Sequence, residues 1–104
     1  PAPQRSVVFA AWTAEEKGLL GSEYYAANPV YPLATTVAGF NVDALAPTGP
    51  ARDVLVVGYG QSELEDRLER ALGTSSRVIA RDPHPEAGYF FRSDHFPMAK
   101  RGVP

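Results

Sequence analysis

Residues 53–82, "DVLVVGYGQSELEDRLERALGTSSRVIARD", decide the fold. "DVLVVGYG", 53–60, is an apolar run that reads as a strand. Ser62 and Glu65 then give the S-x-x-E pattern of a capping box. Leu64, Leu68, Ala71 and Leu72 fall on one helical stripe, and Gly73 supplies a C-terminal stop. "SRVIARD", 76–82, reads as a short strand. A helix between two apolar strands is the unit of an α/β layered fold with a mostly parallel sheet.

The flanking sequence extends the pattern. "RSVVFAAW", 5–12, is continuous and apolar, as in a strand buried on both faces. Thr13 offers a helix N-cap with Glu16 three residues on, and Leu20, Tyr24 and Ala27 recur at helical spacing. "NPVYP", 28–32, ends that helix, because proline removes a donor and restricts its predecessor. "TTVAGFNVDAL", 35–45, reads as a further buried strand, and "APTGPARD", 46–53, as a proline–glycine turn. Residues 83–104 read as loop with a short helix near 96–101.

The bulk numbers set limits. The 104 residues are 44% hydrophobic, enough for one small domain. Ten basic and 12 acidic residues are well mixed, so no basic stripe favours nucleic acid or an anionic membrane. No apolar run approaches the roughly 20 residues of a membrane-spanning helix. Without cysteine, disulfides and thiolate metal sites are ruled out. The beginning at Pro1 and the close on "KRGVP" read as a single domain, 1–104, truncated at both ends.

The chemistry concentrates where apolar runs end. In parallel sheets, function collects at the carboxyl ends of strands. Glu15 and Glu16 follow one run, and Asp43 ends another. Glu16 has two readings, a capping-box partner of Thr13 or a metal ligand beside a neighbour that acts as base. A carboxylate bound to a metal is a poor base, so a hydrolytic metal site needs both acids. Asp43 likewise either caps a turn or binds metal. In "YFFRSDHF", Arg92, Ser93, Asp94 and His95 form a polar loop among aromatics, where an Arg–Asp or Asp–His bond would stiffen it. His84, between prolines, reads as a surface histidine. Tyr89, Phe90 and Phe91 read as packing under the loop, or as the lining of an apolar pocket. "VGYGQS" has Glu63 where a dinucleotide fingerprint needs its third glycine.

Together, "AEEKGLLGSEYY", "NVDA" and "RSDHFPMAKRGVP" resemble the co-catalytic di-zinc aminopeptidase family, which also includes glutamate carboxypeptidase-like enzymes and glutaminyl cyclases. The resemblance implies a fragment of a three-layer zinc-exopeptidase fold. It implies that Glu15 is the general base, that Glu16 and Asp43 bind one zinc each, and that Arg92, Ser93, Asp94 and His95 form a loop near the site. The family's two histidine ligands and its bridging aspartate have no counterpart here. The implied activity is removal of N-terminal residues from peptides by a parent enzyme holding two zinc ions. This chain alone is expected to bind zinc weakly or not at all, to be inactive, and to self-associate through exposed sheet edges. A periplasmic or secreted location is implied by the resemblance alone. Two other readings remain, a non-catalytic α/β interaction domain and cyclase-like acyl transfer on the same scaffold.

Overall fold

A computed structural model describes residues 2–45 and 49–104. Its frame is the strand–helix–strand unit. Strand β1 (Asp53–Val56) and strand β2 (Val78–Arg81) pair in parallel, with Asp53 opposite Val78 and Val56 opposite Arg81. The Val78 N–H extends the ladder by donating to the Arg52 carbonyl at 3.1 Å. A parallel pair needs a crossover of a dozen or more residues, and 57–77 supply it. Within it, helix α2 (Leu64–Leu72) turns Leu64, Leu68 and Leu72 inward as a half-buried stripe, leaving Ala71 exposed.

The ends of α2 differ from the capping pattern. Ser62 Oγ accepts from the Leu64 N–H at 3.2 Å, and Glu65 Oε1 accepts from the Gly60 N–H at 2.8 Å. Gly60 is left-handed (φ 91°), which curls the chain so that its N–H faces the carboxylate. Burial pushes the Glu65 carboxyl up, but the backbone N–H groups of Glu65, Gly60, Gln61 and Ser62 outweigh it and hold the carboxyl below its ordinary value. Gly73 stays right-handed (φ −56°), so the helix end tightens without the expected left-handed stop.

Two expected strands are absent from the described structure. Residues 5–12 carry no ladder, and Val7, Val8 and Phe9 are exposed, Phe9 at 94%. Residues 36–45 also carry none, with Val37, Phe40 and Val42 exposed. Among the described residues, their backbone ties outside the segment are the Thr36 N–H donating to the Leu33 carbonyl at 3.0 Å and the Gly39 N–H donating to the Pro104 carbonyl at 2.7 Å. An apolar run becomes a buried strand only with edge partners and a covering layer, and the described residues give these segments neither. The strand expected over 53–60 is trimmed to four residues. Of the turn expected over 46–53, residues 46–48 lie outside the described residues.

The best-packed region lies elsewhere. Helix α1 (Leu20–Ala27) and the short helix α3 (Phe96–Ala99) face one another, burying Ser22, Ala26, Pro97 and Val103. Small residues on α1 allow the close approach. Glu23 joins both Lys100 and Arg101 across the contact, and those cations lower its carboxyl, Lys100 foremost. Trp12 packs against Tyr25 with ring centres 5.4 Å apart and ring planes tilted by 58°. A Cβ on Gly21 would stand 2.6 Å from the Thr13 carbonyl oxygen, so glycine permits the helix to press against that backbone. Among the described residues no helix is long and apolar enough to cross a membrane.

Candidate active site

The Glu pair lies on a 3-10 turn, Glu15–Lys17, rather than inside a helix begun at Thr13. Ala14 (φ 56°), Gly18 (φ 98°) and Leu19 (φ 60°) are left-handed around it. For a non-glycine residue that conformation is strained. The turn is held by the Gly18 and Leu19 N–H groups, each donating to the Glu15 carbonyl at 2.9 Å, and by the Gly21 N–H donating to the Thr13 carbonyl at 3.0 Å. No side chain caps either the turn or α1, so Thr13 and Glu16 do not form a capping box. The left-handed Ala14 interrupts the helical path such a box needs. Glu15 is half-buried and Glu16 exposed.

Asp43 is exposed, and its Oδ1 accepts from the following Ala44 N–H at 2.6 Å. Ala44 is left-handed (φ 46°), so the carboxylate serves a local turn, the role Asp commonly takes there. Among the described residues, no ladder through 36–45 ties Asp43 to the Glu turn. Among the described residues, no three His, Asp or Glu side chains stand close enough to hold a metal ion. Zinc sites combine carboxylates with imidazoles in a closed set of three or four ligands. The donors present do not fit zinc as they stand.

The polar loop is organised differently from its local expectation. Arg92 is exposed, 5.9 Å from the Tyr89 ring centre. The Ser93 hydroxyl donates to the Tyr89 carbonyl at 2.9 Å. Asp94, 6% exposed, bonds neither Arg92 nor His95; its Oδ1 accepts from the Ser22 hydroxyl at 2.6 Å. Ser22 is fully buried. Sequence reasoning passed over it, although it stands in the Gly-Ser that follows the Glu pair.

His95 packs against Phe90 with ring centres 4.7 Å apart, and its buried Nε2 has no hydrogen-bond partner among the described residues. Burial lowers the imidazole pKa from 6.5, outweighing the opposing pull of the Asp94 charge. Phe90 in turn fills the space over Gly58, where a Cβ would fall 2.2 Å from the ring. A cavity of about 280 Å³ opens beyond the carboxyl ends of β1 and β2, lined by Gly58, Tyr59, Arg81, Asp82, Phe90 and Phe91. Phe90 and Phe91 therefore both pack and line a hollow, while Tyr89 is half-exposed outside it. His84 is on the surface as expected, its Nδ1 3.3 Å from Glu86.

A family model described as peptidase family M28 matches residues 1–104. No curated protein and no solved structure matches the chain.

Proposed function

This chain belongs to peptidase family M28, and on that premise we propose that it is part of the catalytic domain of a zinc-dependent aminopeptidase. Residues 1–104 then form one partial domain of a three-layer α/β fold, with β1 and β2 inside a larger, mostly parallel sheet. The observation that carries the reading is the family match over residues 1–104, the stretch in which Glu15, Glu16 and Asp43 stand.

In this reading Glu15 is the general base. Its half-buried position beside an exposed neighbour gives the two adjacent carboxylates different surroundings. Glu15 takes a proton from the attacking water and delivers it to the leaving amine, the double role a single positioned carboxylate can perform. Glu16 and Asp43 are the metal-binding acids, completed by imidazole and carboxylate donors that the described residues do not supply. Two uncombined carboxylates hold zinc poorly, so the chain alone is inactive. Arg92, Ser93, Asp94 and His95 border the site.

Glu15→Gln in the complete enzyme leaves metal content unchanged and removes hydrolysis of an N-terminal residue from a peptide. Retention of activity within about tenfold, equivalent to about 1.4 kcal/mol, contradicts the base assignment.

The uncovered apolar stretches at 7–9 and 37–42 support one more proposal. Exposed strand-forming segments recruit further strands, so copies of the isolated chain associate with one another. A single gel-filtration peak at the monomer volume, unchanged across a wide concentration range, contradicts this.

A further inference from the structure

We infer that Asp94 is a positioning residue that holds the strained Glu15–Glu16 turn in shape through Ser22. The inference rests on the proposed role of Glu15. Its starting point is a buried side-chain pair whose members lie 72 residues apart in sequence.

The Ser22 hydroxyl is placed between two acceptors. It donates to Asp94 Oδ1 at 2.6 Å and also approaches the Leu19 carbonyl at 3.1 Å. A hydrogen bond to a carboxylate is among the stronger kinds, and burial removes competing water. Leu19 is one of the two left-handed non-glycine residues flanking the Glu pair, and Ala14 is the other. Strained backbone persists only where its surroundings over-determine it. Here the surroundings can be traced. Asp94 fixes Ser22, and Ser22 fixes the first turn of α1. Gly21, next to Ser22, locks against Thr13, through both its N–H bond and a fit that excludes even a Cβ. Glu15 and Glu16 lie between Thr13 and Leu19, within this clamp. Asp94 itself sits between Ser93, tied back to Tyr89, and His95, packed on Phe90. The clamp thus joins the Glu turn to the polar loop.

A pair that served stability alone would be replaceable without consequence for chemistry. A positioning pair makes a different prediction, because small displacements of a base cost about a hundredfold in rate. In the complete enzyme, Ser22→Ala and Asp94→Ala each lower kcat on the order of 10- to 100-fold while KM changes little. The double variant is no worse than either single one, because the two residues act as one unit. Asp94→Asn keeps an acceptor oxygen for Ser22 and restores most of kcat. Ser22→Cys, a weaker donor of similar shape, gives an intermediate loss and serves where the alanine variants fail to fold. Amide hydrogen exchange supplies the second readout. The Leu19 and Gly21 amides exchange faster in Ser22→Ala and Asp94→Ala and keep their protection in Asp94→Asn.

The inference is overturned if Glu15→Gln is inactive yet Ser22→Ala and Asp94→Ala keep wild-type kcat. It is also overturned if their losses fall wholly on KM, or if Asp94→Asn is as damaged as Asp94→Ala. If instead Glu15→Gln stays active, the proposed base is wrong, and amide exchange alone decides whether Asp94 holds the turn.

Discussion

Residues 5–45 and residues 53–82 carry the same apolar–helix–apolar pattern, yet only the second stretch becomes a strand–helix–strand unit. In 53–82, α2 lays three leucines inward and leaves β1 and β2 adjacent. In 5–45, α1 buries Ser22 and Ala26 against α3 and the residues around 94–103, while Leu20 and Tyr24 stay exposed. That helix spends its packing face on another helix. The apolar runs on either side are left without a covering layer, and they stay unpaired. Local apolarity sets what a segment can become, and the face chosen by the neighbouring helix sets what it does become.

The sharpest way to break this comparison is to push α1 off its seat. Gly21→Ala sets a methyl 2.6 Å from the Thr13 oxygen and 2.8 Å from its nitrogen. Both are backbone atoms that cannot swing aside. A loss of about 2–3 kcal/mol is expected, read as a lower urea midpoint. An unchanged midpoint means that α1 is not seated on Thr13.

A smaller effect comes from His95, which bridges the two stretches by touching Phe90 and following Asp94. Its pKa is depressed in the folded chain, so the unfolded chain binds a proton first as the medium is acidified. Stability is therefore complete above the unfolded value of about 6.5 and declines as pH falls through the lower folded value. Glu23 and Glu65, whose folded values are lowered from 4.5, add their own decline as pH falls below 4.5. His95→Gln should flatten the upper part of a plot of melting temperature against pH. An identical slope in that variant assigns the effect elsewhere.

The smallest effect falls on the unpaired stretch. Phe9 is 94% exposed, so Phe9→Ser should alter the stability of the dilute chain by less than about 0.5 kcal/mol. A larger loss in thermal denaturation means that the 5–12 segment is covered after all.

These contrasts show what the sequence made legible. The 53–82 unit was readable because its signals are local: a leucine stripe, glycine punctuation and short β-branched runs. The Glu pair follows the apolar run at 5–12, but it lies on a 3-10 turn after a segment that forms no strand. The left-handed Ala14 and Leu19 were not readable, because nothing in the side chain of either marks that conformation. The Ser22–Asp94 bond was out of reach for another reason. Its two ends become neighbours only after α1 docks near α3, and a capping-box pattern at Thr13 pointed to a simpler local structure. Strands at 5–12 and 35–45 were expected because ladder partners, unlike apolarity, are not encoded within the segment.

Ala14 carries a consequence for chemical synthesis. A left-handed backbone disfavours an L-residue by about 1–2 kcal/mol and suits its mirror image. A chain of 104 residues is short enough to assemble by peptide ligation. Installing D-alanine at position 14 would preserve every atom type while matching residue chirality to the local fold. Raised thermal stability would be the expected signature, obtained by inverting one stereocentre.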